Sequence, residues 1–232
     1  MGIGMMASGP MRLIDVRCGR ALSRPPRSLQ ALLLWVGSAC NLSCRMCGEA
    51  HRAARQEGRS TLTLEHWMSV IESARRLHVL VVSVTGGEPL MDPGLFSILA
   101  GLRDAGLATH LCTNGTLLSD DVVEALSATS VRSVSVSLDS HDAATHNYLR
   151  NADCFDTTVK NIRRLRSRRP DIKIALNTVV CRCNFRHLAG VVRLAGELGA
   201  DQVNVAPLHT NLQHRHKPPA AFDDLAVPAH EL

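Results

Sequence analysis

The sequence predicts an α/β domain: a TIM-like (β/α)6 barrel, partial and open, with mainly parallel strands. Three observations carry that expectation. After residue 30, short β-branched runs alternate with segments of helical period. The connections are short, and strand–helix alternation of that kind gives parallel strands joined by right-handed crossovers. About six such units fit in 232 residues, fewer than the eight of a closed barrel.

The elements follow in order. Ala31-Leu32-Leu33-Leu34-Trp35-Val36 has the length of a buried strand, and the first strand is predicted over 31–37. A helix over 63–77 leads to a second strand over 79–84, Val79-Leu80-Val81-Val82-Ser83-Val84. Helices over 93–105 and 119–128 flank a third strand over 108–113, and a fourth strand covers 132–138. Val159, Ile162 and Leu165 form the apolar stripe of a helix over 156–168. A fifth strand over 172–179 precedes a helix over 186–198, where Leu188, Val191, Val192, Ala195 and Leu198 share a face and Gly199 is a stop signal. The sixth strand is predicted over 202–206. This divides the chain into a poorly structured segment (1–30), a core domain (31–206) and a tail or linker (207–232). The tail carries His209, His214, His216, Pro218 and Pro219, and it stops at His230-Glu231-Leu232 in what reads as the opening of another helix, as a truncated chain would.

Composition narrows the function classes. Aromatics make up 3% of the chain, so the core rests on Leu, Val, Ile and Ala, and the aromatic–basic interleaving that grips single strands is missing. With a dispersed net charge of +5, no nucleic-acid partner is expected; Arg163-Arg164-Leu165-Arg166-Ser167-Arg168-Arg169 reads as a solvated helix face. The eight cysteines are clustered unlike a secreted disulfide framework. There is neither a signal-peptide core nor an apolar stretch long enough for a membrane span, so a cytoplasmic protein is expected.

Chemistry concentrates in two loops. Cys40, Cys44 and Cys47 lie within eight residues, spaced C-x3-C-x2-C, directly after the first strand. Three thiolates hold three irons of a cubic cluster and leave the fourth iron open to a substrate. The alternative is a zinc site with His51 as fourth ligand. The second strand runs into Thr85-Gly86-Gly87-Glu88-Pro89-Leu90, where two glycines expose main-chain carbonyls, Glu88 adds a carboxylate and Pro89 fixes the exit. Carbonyls and a carboxylate without a basic side chain suit a cation such as an α-ammonium. On the fourth strand, Ser133, Ser135, Ser137 and Asp139 fall on one face and Val134, Val136 and Leu138 on the other. The polar face implies a wet or ligand-filled cavity; a solvated edge strand is the other reading.

Together, Cys40/Cys44/Cys47 and Gly86-Gly87-Glu88-Pro89 resemble the hallmarks of the radical S-adenosylmethionine (radical SAM) superfamily, in order from about Leu33 to Ala206. The resemblance implies a 4Fe-4S cluster on the three cysteines, its open iron chelated by S-adenosyl-L-methionine. Gly86, Gly87, Glu88 and Pro89 would hold the methionyl amine. An aromatic usually precedes the family's last cysteine and supports the adenine; here it is Met46. By the same resemblance, Ser137 and Asp139 belong near the cofactor's ribose or carboxylate, Arg150 near its carboxylate, and Asn114, in Thr113-Asn114-Gly115, and Asn177 at the cofactor or substrate. A plain Asn-Gly turn is the other reading of Asn114. The implied reaction is reductive cleavage to a 5′-deoxyadenosyl radical that abstracts hydrogen from a substrate, a peptide or a small metabolite. A flavodoxin or ferredoxin would supply the electron. Cys47-Gly48-Glu49 and Asn177-Thr178-Val179-Val180 resemble the branch with a cysteine-rich (SPASM-type) C-terminal extension, although no cysteine follows Cys183. Cys18, Cys112, Cys154, Cys181 and Cys183 read as small hydrophobes or free thiols. Two other readings stay open: a zinc-stabilised binding module without catalysis, and an inactive fragment of a larger radical enzyme.

Overall fold

The computed structural model describes residues 29–47, 62–208 and 224–227. The expectations for residues 1–28, His51, His209, His214, His216 and the last five residues lie outside them. The elements are β1 (Ala31–Trp35), α1 (Leu64–Arg76), β2 (Val81–Thr85), α2 (Leu95–Asp104), β3 (Ala108–Thr113), α3 (Asp120–Ser127), β4 (Val131–Ser137), α4 (Ala143–Arg150), α5 (Phe155–Arg168), β5 (Lys173–Val180), α6 (Leu188–Glu197) and β6 (Gln202–Pro207). Short 3-10 turns cover Pro89–Met91 and Phe185–His187. The second turn takes the start of the predicted helix over 186–198, which becomes regular only at Leu188.

All six strands are parallel and lie in chain order, β1-β2-β3-β4-β5-β6. Among the described residues β1 and β6 are the two edges, so the sheet is an open barrel, as expected. Parallel strands in this order need a crossover each time, and the helices supply it. The helix-facing side of the sheet carries Val82, Val84, Leu111, Val134, Val136, Ile174 and Leu176, which form one core with Leu95, Leu99 and Leu102 of α2 and Ile162 and Leu165 of α5. Removing such side chains from water is what holds the layers together.

The opposite face is polar at its centre, with Leu33 and Trp35 of the edge strand β1 exposed on the same side. Ser83, His110 and Ser133 sit at one level across β2, β3 and β4, and His110 Nδ1 lies 2.7 Å from Ser133 Oγ. Ser137, Asn177 and Asn204 sit at a higher level, with Asn204 Nδ2 donating to Asn177 Oδ1 over 2.8 Å. The serine alternation on β4 therefore has the predicted outcome: Val134, Val136 and Leu138 are in the core and the serines face the concave side. None of the helices among the described residues is long and apolar enough to cross a membrane.

One element was not expected. Helix α4, of eight residues, starts where the Asp142 carboxylate accepts from the Thr145 N–H over 2.8 Å and stops at Asn151, which is left-handed (φ 53°). Its sequence, Ala-Ala-Thr-His-Asn-Tyr-Leu-Arg, has no continuous apolar stripe. The Asp142 cap and the Asn151 stop were the local signals that would have found it.

Candidate functional site

The cysteine loop and the Gly-Gly-Glu-Pro loop pack side by side at the C-terminal ends of β1 and β2. The backbone continues to pair past the strands: Val36 N–H donates to Thr85 O at 2.9 Å, Gly87 N–H to Gly37 O at 2.8 Å and Glu88 N–H to Ala39 O at 2.8 Å. A Cβ on Gly86 would lie 2.5 Å from the Gly37 carbonyl oxygen. A Cβ on Gly87 would lie 2.5 Å from that of Ser38 and closer still to that of Ala39. The two glycines thus admit the chain that leads into Cys40. This packing demand stands beside the sequence expectation that the glycines open carbonyls to a ligand.

Glu88 is 2% exposed, and its carboxyl group ties the loops of β2 and β3 together. Its Oε1 accepts from Thr113 Oγ1 at 2.7 Å and from the Leu90 N–H at 3.2 Å; its Oε2 accepts from the Asn114 N–H at 2.6 Å. The Leu90 bond caps the turn begun by the buried Pro89. Burial pushes the Glu88 carboxyl above its ordinary value, against the lowering effect of those hydrogen bonds. Glu88→Gln would set an amide NH2 against the Asn114 N–H, leaving a buried donor unsatisfied at about 1–3 kcal/mol. The titration has a sign of its own. A carboxyl with a raised folded pKa contributes its full stability below the unfolded value of 4.5 and loses it as pH rises through the folded one. Urea unfolding should therefore show a wild-type advantage over Glu88→Gln that is larger at pH 5 than at pH 8. An advantage that grows with pH would mean Glu88 is held as a carboxylate.

Asn114 is buried and braces the first cysteine. Its Nδ2 donates to Asn41 Oδ1 at 2.8 Å and approaches Cys40 Sγ at 4.0 Å, while its Oδ1 accepts from the Thr116 N–H at 2.9 Å. Gly115 follows with φ 82°, the left-handed turn that Asn-Gly predicts. The other side of the cysteine loop is held by α4. Leu149 O accepts from the Arg45 N–H at 2.9 Å, Tyr148 O from Arg45 Nε at 2.9 Å, and Ser43 Oγ from Asn151 Nδ2 at 3.0 Å. The unforeseen helix is the clamp on the loop.

Arg150 and Asp139 lie beneath that clamp. Arg150 Nη2 pairs with Asp139 Oδ2 at 2.6 Å, and Nη1 donates to Cys44 Sγ at 3.8 Å. Burial alone would lower the Arg150 pKa, yet Asp139 and Cys44 hold it above its ordinary value. His146 Nδ1 accepts from the Asp139 N–H at 3.2 Å; burial, helped by Arg150, lowers His146 to about 3, so it stays neutral. Met46 is 5% exposed, in a small apolar cluster with Cys44, Leu149, Cys181 and Leu225. As the side chains stand, Met46 faces that cluster and Arg150 is committed to Asp139 and Cys44. Ser137 and Asn177 stand half-buried on the concave face.

The donor set suits an iron–sulfur cluster. All three candidates are thiols, the ligands such clusters favour. Cys44 and Cys47 both bear electrostatically on Cys40. Burial raises the Cys40 and Cys44 thiols, opposed at Cys40 by the Leu42 N–H, 3.4 Å from its sulfur, and at Cys44 by Arg150. Arg150 Nε is buried without a hydrogen-bond partner among the described residues, a polar atom left over at the site. Among the described residues no three His, Cys, Asp or Glu side chains converge as one metal ion would need. His51, the fourth ligand of the zinc alternative, lies outside the described residues.

Comparison with known proteins gives the same family as the two loops. The profile of the radical SAM superfamily matches residues 36–195. The AdoMet-dependent heme synthase of Methanosarcina barkeri is 35% identical over 182 residues, covering 78% of this chain and 50% of that protein. The PqqA peptide cyclase of Gluconobacter oxydans is 31% identical over 186 residues, covering 80% of this chain and 50% of that protein. The chain thus spans about half the length of these curated relatives. Among solved structures, Streptococcus suis SuiB bound to the precursor peptide SuiA superposes with a TM-score of 0.71 at 20% identity, over 90% of this chain and 45% of SuiB. That likeness concerns the fold.

Proposed function

We propose that this chain, which belongs to the radical SAM superfamily, is the core of a radical enzyme that holds a 4Fe-4S cluster on Cys40, Cys44 and Cys47 and binds S-adenosylmethionine beside it. The observation that carries this reading is the backbone pairing of Gly87 with Gly37 and of Glu88 with Ala39, which sets the second loop against the chain leading into Cys40. When bound, the cluster and S-adenosylmethionine supply one-electron cleavage of a sulfonium and a carbon radical able to take hydrogen from a substrate. The residues of the chain orient and enclose. Gly86 and Gly87 let the two loops approach, and Glu88, through Thr113 and Asn114, keeps the β2 and β3 loops in fixed relation. Main-chain carbonyls of this loop and the Glu88 carboxylate would hold the methionyl amine. Ser137, Asn177 and Asn114 would face the ribose or the substrate from the polar side of the sheet. With Met46 in the apolar cluster, the adenine needs another support or a moved Met46.

The substrate class we propose is a peptide. The PqqA peptide cyclase and peptide-bound SuiB support it, and the heme synthase relative makes a tetrapyrrole the competing class. A flavodoxin or ferredoxin is the proposed electron source. The deciding experiment is anaerobic iron–sulfur reconstitution followed by EPR of the dithionite-reduced protein, with and without S-adenosylmethionine. A reduced-cluster signal that changes when S-adenosylmethionine is added is the expected result. Stoichiometric zinc and no cluster would return the cysteine loop to a structural staple.

A further inference from the structure

Asp139, Arg150 and Cys44 form a row that links one candidate cluster ligand to a buried ion pair. Asp139 is fully buried and Arg150 is 9% exposed. From their ion pair the second terminal nitrogen of Arg150 reaches Cys44 Sγ at 3.8 Å, a span that suits a large sulfur acceptor, across 106 residues of sequence. Neither partner is free to swing away. Asp139 Oδ1 accepts from the Val179 N–H at 2.9 Å, its carbonyl accepts from Asn184 Nδ2 at 2.7 Å, and its N–H is bound to His146. Arg150 ends the helix whose last turn clamps the cysteine loop. Among the described residues the donors to Cys40 are neutral, the Leu42 N–H and Asn114 Nδ2. Among the described residues the charged donor falls on Cys44.

We propose that Arg150 is a positioning residue that sets the reduction potential of the cluster through its hydrogen bond to Cys44, with Asp139 as the counter-charge that moderates it. This rests on the cluster reading above. Reduction adds one negative charge to the iron–sulfur core. A hydrogen bond to a ligand sulfur and a nearby positive charge stabilise that form and raise the potential. Burial keeps both effects unscreened. Asp139 works the other way. Removing the donor and removing the counter-charge therefore act in opposite directions, which loosened packing does not do.

The test is a redox titration of the reconstituted full chain without S-adenosylmethionine, with iron and sulfide per chain measured on every sample. Arg150→Met should lower the equilibrium constant for cluster reduction about tenfold, a shift of about 59 mV for one electron. Asp139→Asn, which keeps the side chain's shape, should raise it by a similar factor, and Arg150→Lys should fall between wild type and Arg150→Met. Loaded variants that titrate with the wild type, or that all shift the same way, overturn the inference; an arginine that serves only the cofactor's carboxylate predicts the first pattern. Should Arg150→Met hold no cluster, Arg150→Lys and Asp139→Asn decide on the same terms. A wild type that assembles no cluster overturns the cluster reading itself, which iron analysis separates from a failure of the inference.

Discussion

Alanine at Cys40, Cys44 or Cys47 should leave a folded chain that carries no iron after anaerobic reconstitution. Folding survives because the loop lies outside the main core. That core comprises the helix-facing side of the sheet and its helices and contains none of the three cysteines. Cys44 belongs to the small second cluster, so its loss trims a satellite rather than the centre. Under the proposed ligation each thiolate would hold a different iron, so a single loss would leave two of the four irons without a protein ligand and the cube would not be retained. Cys112→Ala is the control. Its thiol sits on the concave face of β3, raised by burial and secondarily by Glu88, and belongs to neither loop. It should load as the wild type does. Circular dichroism, thermal unfolding and iron per chain measured together separate the outcomes. Full iron in any of the three single variants would remove that cysteine from the ligand set, and zinc lost in parallel from all three would favour the binding-module reading.

What was legible in the sequence divides along a physical line. The strands and five of the helices were readable because each writes its own period locally, as Val134, Val136 and Leu138 do in β4. The displaced ends, such as β2 opening at Val81 rather than Val79, are where an apolar run continues into a turn. Helix α4 was not readable by period, because what it contacts with its last turn is a loop rather than a broad apolar surface. The site splits in the same way. Cysteine spacing and the Gly-Gly-Glu-Pro run are local and mark their loops, whereas the contact of Arg150 with Cys44 joins residues 106 apart and has no local trace. Sequence alone places Arg150 and Met46 at the cofactor by resemblance, and says nothing of what else they touch. Burial, which sends one to an ion pair and the other to an apolar cluster, appears only once the chain is folded.

Two glycines give the sharpest test of how the site is built. Gly87→Ala should destabilise the chain by about 3–4 kcal/mol and impair cluster loading even though no ligand is altered. The added Cβ meets main-chain oxygens of Ser38 and Ala39, and backbone cannot rotate aside as a long side chain can. Relief requires the two loops to part. That strains or breaks the bonds from Gly87 N–H to Gly37 O and from Glu88 N–H to Ala39 O, at about 0.5–1.5 kcal/mol each, on top of about 1–3 kcal/mol for overpacking. Parted loops also carry Cys40 away from Asn114 and Glu88, so the lost stability and the lost iron have one cause. Gly196→Ala tests the same chemical change where there is room. It lies in α6 with nothing within 4 Å of the added Cβ, and alanine there should stabilise the helix by about 0.5–1 kcal/mol. Urea unfolding of both variants, with iron per chain after reconstitution, reads the two signs directly. Equal stability and full iron in Gly87→Ala would show that the loops do not need this close approach, and the observation carrying the functional proposal would go with it.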